Sequence, residues 1–95
     1  MTLDHFVLTL NGAAQQLTGV TELAREIHLQ ADSANSAVVK VGDSGISTSD
    51  YGILIPIPVS TIPAAPIVLR GPLQPQSVWV FGTNTEKLRV TVVKA

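Results

Sequence analysis

A chain of 95 residues with a formal charge of -1, seven acids against six bases, has room for one domain (1–95) and a single core. The bases Arg25, Lys40, Arg70, Lys87, Arg89 and Lys94 are scattered, which excludes the clustered surface that nucleic acid requires of a partner. Cysteine is absent, so disulfide scaffolds, thiol catalysis and cysteine zinc sites are excluded, while a hydrophobic content of 45% predicts some apolar side chains in contacts with other subunits.

In chain order, Phe6, Leu8 and Leu10 share one face of a first strand, which ends at the turn pair Asn11-Gly12. Asn-Gly favours a tight reversal, so Ala13–Leu17 is expected to return as the second arm of a hairpin. The stretch "MTLDHFVLTLNG" has no basic n-region and meets Asn11 and Gly12 too soon to read as a signal peptide. Thr21 begins a short turn, and the alternation of Ile27, Leu29 and Ala31 predicts a strand from about Arg25 to Ala31 rather than a helix.

"DSANS" is a loop by composition, and "AVVKVGD" a strand with Val39 and Val41 on one face and Val38 and Lys40 on the other. After the polar connection "SGISTSDYG", residues Ile53, Ile55, Ile57 and Val59 alternate with Leu54, Pro56 and Pro58. Proline cannot donate to a ladder, so this strand belongs at a sheet edge, where missing donors also guard against stray pairing. "STIPAAP" reads as a stiff crossover between sheets or along a neighbouring subunit, the neighbour being preferred, with a rigid loop over the monomer's own core as the alternative. The four prolines between Ile53 and Leu69 exclude a continuous membrane helix.

Ile67–Arg70 is a short strand, "GPLQPQ" a turn, "SVWVFG" a strand, "TNTE" a hairpin-like turn and Lys87–Lys94 the last strand, with Leu88, Val90 and Val92 inward. Seven to eight short antiparallel strands with at most one helical turn predict an all-β sandwich or jelly-roll-like barrel. The strand "SVWVFG" is apolar on both faces, Val78 and Val80 against Trp79 and Phe81. A half-solvated antiparallel strand should not be, so either both faces are covered within the subunit or, the preferred reading, Trp79 and Phe81 meet another subunit.

Catalytic signals are thin. Gly42-Asp43-Ser44-Gly45 is the string around the nucleophile of trypsin-like proteases, yet His5 and His28 stand in no matching context, and a turn is the commoner use of those residues. His5 and His28 with Asp4 or Glu26 lack metal-ligand spacing, and Asp32, Asp43 and Asp50 lack calcium-loop spacing. No general acid–base pair can be named, so the chain is read as no enzyme, with no cofactor and no metal. Trp79 or Tyr51 could instead supply a sugar-binding platform.

"IHLQAD", a loop with Asn35, "VVKVGDSGIS", the Gly52 turn and the aliphatic edge segment together resemble small β-sandwich or jelly-roll virion proteins of tailed bacteriophages. "SVWVFGTNTEKLRVTVV" is similar to the closing hairpin of such domains, and the resemblance spans about Ile27 to Val93. It implies a non-enzymatic capsid cement (decoration) protein, made in the host cytoplasm and placed on the virion surface. Its partners would be itself, as a homotrimer, and the major capsid protein, with no membrane involved. The expected interface residues are Ile62, Pro63, Pro66, Trp79 and Phe81. The alternatives are a carbohydrate- or receptor-binding virion module and a baseplate or head–tail connector component.

Overall fold

A computed structural model describes residues 3–17, 22–32, 35, 37–47, 49–57 and 66–94. The strands are β1 (Leu3–Thr9), β2 (Gln15–Gln16), β3 (Ala24–Ala31), β4 (Val39–Gly42), β5 (Ile53–Ile55), β6 (Ile67–Leu73), β7 (Trp79–Phe81) and β8 (Lys87–Lys94). A 3₁₀ turn covers Pro75–Ser77. Two four-stranded antiparallel sheets result, the first ordered β1-β8-β3-β6 and the second β2-β7-β4-β5. Both are open sheets, and the pairings of the described residues close no barrel.

The two orders match rank by rank. β1 continues into β2, β7 into β8 and β3 into β4, and each pair holds the same position in its two sheets. β5 and β6 likewise share the fourth rank. The fold is therefore one ribbon of strands creased across the middle, with its inner faces pressed together. Ile27, Leu29, Leu88, Val90 and Val92 from the first sheet meet Val39, Val41, Ile55, Val78 and Val80 from the second, all buried in one cluster with Leu10 and Leu17. The period-two alternation of "IHLQA", "VVKV", "SVWVF" and "LRVTV" puts those residues on the inner side.

The crease overturns two expectations. Ala13–Leu17 does not return along β1: β2 pairs with β7 in the second sheet, and β1 pairs with β8 in the first. A two-residue Asn-Gly hairpin needs positive φ at both positions, and here only Gly12 has it, at 80°. Asn11 instead caps the amide of Ala13 through its side-chain oxygen at 3.0 Å. The Gln15 side chain holds the corner, accepting from the Asn11 amide at 3.0 Å and donating to the Thr9 carbonyl at 3.2 Å.

"TNTE" is not a hairpin turn either, because β7 and β8 lie in different sheets. The Glu86 amide does close on the Thr83 carbonyl (3.1 Å), but the chain then crosses to the other layer. The two corners stack: Leu10 donates to Glu86 at 2.8 Å and accepts from Thr85 at 2.9 Å. Gly82 leaves the space that Leu10 fills, since a Cβ there would collide with the leucine side chain.

The crossing from β3 to β4 is fixed by polar groups. Asn35 donates to the Lys87 carbonyl at 2.7 Å and accepts the Lys87 amide at 2.9 Å. Asp32 accepts from Arg89, whose Nε lies at 2.9 Å and terminal nitrogen at 2.7 Å. Asp32 and Asn35 are buried, so these bonds replace the water they lost.

The edge placement expected of the strand at Ile53 holds, but the strand stops at Ile55 and does not carry Pro56 within its ladder, because proline has no amide to donate; β6 is an edge as well. β5 is an edge of the second sheet and ends at Ile55, where the exposed Pro56 follows; Ile57 is half-buried. Pro58, Val59 and Pro63 lie outside the described residues, and so does most of the crossover. "GPLQPQ" is not simply a turn: β6 runs on through Gly71 and Pro72 to Leu73 as an edge of the first sheet. Its register with β3 shifts between Ala24 and Glu26, a bulge that accommodates the proline.

Candidate functional site

The outer face of the second sheet carries aromatic and aliphatic side chains where a solvated sheet face carries polar ones. Pairing sets its membership. Trp79 lies between Gln16 and Gly42, and Phe81 lies beside Lys40, which in turn faces Leu54. Val38 continues the outward row of β4 one step before Lys40. Trp79 and Phe81 are half-buried, while Val38 (39%), Leu54 (42%) and Tyr51 (42%) are substantially exposed. Phe81, Leu54 and Tyr51 thus flank one cation, and Trp79 and Val38 lie farther along the same face.

That cation is held in place. The Lys40 ammonium lies 5.2 Å from the centre of the Tyr51 ring, within range of a cation–π contact. Gly42, opposite Trp79, puts no side chain against that flank of the indole. Beside Phe81 the surface dips into a shallow depression of about 310 Å³, lined by Gly12, Val38, Lys40, Phe81, Gly82, Thr83 and Asn84. The crease makes this hollow, because Gly12 and Asn84 come from its two stacked corners.

Of the expected contact residues, Trp79 and Phe81 are brought together on this face. Pro66 is exposed but precedes β6 in the first sheet, so it belongs to a different part of the surface. Ile62 and Pro63 lie outside the described residues. Leu54 was legible only as the partner of prolines, and Val38 and Lys40 only as the outward side of an alternating strand. What joins them is sheet pairing, which no local pattern encodes.

The remaining chemistry-bearing residues sit apart. Asp43-Ser44-Gly45 is a turn in which the Asp43 carboxylate accepts the Gly45 amide at 2.9 Å and its carbonyl accepts Ile46 at 3.1 Å. His28 is on β3 of the other sheet, 3.0 Å from Glu26, and His5 is on β1. That hydrogen bond from His28, above all, lowers the Glu26 carboxyl below its ordinary range. At the end of the first sheet Lys94 bridges Asp4 (2.8 Å) and Glu22 (3.2 Å), bonds that raise its ammonium above the usual value. Among the described residues, no three His, Cys, Asp or Glu side chains converge where they could hold a metal.

No family model, no curated protein and no solved structure matches this chain.

Proposed function

We propose that the protein is a non-enzymatic binding module that docks on another protein through the outer face of its second sheet, and that it does so as a capsid cement protein of a tailed bacteriophage. The observation carrying the first part is the Trp79–Phe81 pair on an outward sheet face, flanked by Val38, Leu54 and Tyr51. Aromatic residues of this kind dominate the energetics of protein interfaces, and partial burial leaves them little conformational freedom to lose on binding. The capsid assignment rests on the resemblance of residues 27–93 to small virion domains. The jelly-roll reading of the fold is supported by the one-to-one continuation of strands between the two sheets. Repeated weak contacts on a capsid lattice would add through multivalency.

The test is cosedimentation with capsid shells assembled from the major capsid protein of the same virus. Stoichiometric binding that is lost in Trp79→Ser and Phe81→Ser supports the proposal. No binding, or binding indifferent to both substitutions, overturns it.

The depression beside Phe81 favours a second reading, carbohydrate or receptor binding, because an aromatic ring there adjoins Lys40, Thr83 and Asn84. Quenching of the single tryptophan by added sugars would separate the two.

A further inference from the structure

Among the described residues the two sheets have four edges, and three of these are guarded. β5 is three residues long and ends against Pro56, β6 carries Pro72 and a register shift, and β2 is only two residues long. β1 differs: seven residues without proline or glycine, in unbroken register with β8. Unguarded edges of this kind are templates for another strand.

The backbone groups facing that edge can be assigned. Leu10 turns both its amide and its carbonyl toward the β8 side, bonding Glu86 and Thr85. Residues of an antiparallel ladder alternate, so Leu8, Phe6 and Asp4 also bond β8, while Leu3, His5, Val7 and Thr9 face away. The Thr9 carbonyl confirms the parity, since the Gln15 side chain reaches it from outside the ladder, which also closes that end of the edge. Leu3, His5 and Val7 are left to offer donors and acceptors outward.

We propose that this edge pairs with the same edge of a second copy, β1 against β1 about a two-fold axis at His5, extending the first sheet across both chains. The strand is self-complementary in that register. His5 meets its own copy, and Leu3 (63% exposed) meets Val7 (48% exposed), so the two most exposed apolar positions of the strand cover each other twice. On the inner side Asp4 falls opposite Phe6 of the other copy. No like charges are directly opposed, and Asp4 is already bonded to Lys94 at 2.8 Å. The Thr9 carbonyl stays with Gln15.

Sedimentation velocity across micromolar to millimolar concentration, joined to amide hydrogen exchange, tests the pairing. A reversible dimer is expected, in which the His5 and Val7 amides slow with association while those of Phe6 and Leu8 are slow throughout. Val7→Pro removes an outward donor without touching the β8 ladder and should weaken the dimer about tenfold or more. Val7→Lys, at an exposed position, should do the same with an unchanged circular dichroism spectrum. A chain that stays monomeric at millimolar concentration overturns the proposal, and so does the trimer that the family resemblance implies. A dimer disrupted by Trp79→Ser but not by the Val7 variants overturns it as well. Because capsid docking is read through Trp79 and self-pairing through Val7, either proposal can fail without the other.

Discussion

The outward face of the first sheet is mixed, with Leu3 and Val7 exposed on its β1 edge among His5, Thr9, Glu26, His28, Gln30, Arg70, Lys87, Arg89 and Thr91; the second carries Trp79, Phe81, Val38 and Leu54 beside Gln16 and Lys40. Both sheets line the same core, and on their inner sides they are alike, Val, Leu and Ile at alternate positions. The charged pairs of the first sheet cost little to leave in water and gain little there. The aromatics of the second gain only if something covers them. The difference teaches that the inward faces specify the fold and the outward face of one sheet specifies a contact, so a change to one face of β7 should be felt as stability and a change to the other as binding.

Removing core volume tests the sameness of the inner faces and should give the largest effects. Leu29→Ala in the first sheet and Ile55→Ala in the second should each cost about 2–5 kcal/mol in urea unfolding, since both side chains are fully buried. A cost near zero at Ile55 would mean that the second sheet is not a full half of the core. Next come the outer faces. Trp79→Ser should weaken partner binding about thirtyfold or more, the size of an interface hot spot, and leave the unfolding midpoint in urea nearly unchanged. Thr91→Ser, outward on the first sheet, should leave binding within about threefold, and equal losses in the two variants would erase the distinction between the faces.

Asp32→Ala should destabilise by about 1 kcal/mol, because the carboxylate is buried against a guanidinium that is itself largely in water. The smallest effect concerns the charged face alone. The Glu26 carboxyl is held below its ordinary 4.5, so its contribution is present above that pH and is lost as pH falls through the lowered folded value. Lys94 has the opposite sign: its raised value contributes below 10.5 and is lost as pH rises through the folded value. Stability measured against pH should therefore lose part of its acid limb in Glu26→Gln. An identical acid limb in the variant would show that the pair with His28 does not survive in solution.

Much of this was legible in the sequence. The inward sets Leu88–Val90–Val92 and Val39–Val41, the strand at 24–31 and the two-faced β7 all follow from alternation, because side chains in a strand point to opposite faces every second residue. The crossings were not legible. Asn11-Gly12 is a strong hairpin signal, but the local bonds of Gln15 to Asn11 and Thr9 compete with it, and the stacking of Leu10 on Thr85 and Glu86 joins partners about 75 residues apart in sequence. Asn35 looked like one loop residue among several, and only the fold places Lys87 beside it. The candidate face was half visible: Trp79 and Phe81 stood out by type, whereas Val38, Leu54 and Lys40 join them only through pairing.

The position of β8 sets an order on synthesis. β8 follows every other strand of the two sheets in chain order, yet it lies between β1 and β3, so β1 cannot join the first sheet until residues 87–94 have left the ribosome. Until then β1 has no partner, and Phe6 and Leu8 wait in water beside an open edge. Pairing the first strand with the last is as non-local a step as this chain allows, and such steps are slow. A nascent chain halted before Lys87 can therefore form only the β3–β6 half of the first sheet, and the exposed stretch Leu3–Thr9 is the segment a chaperone would find first.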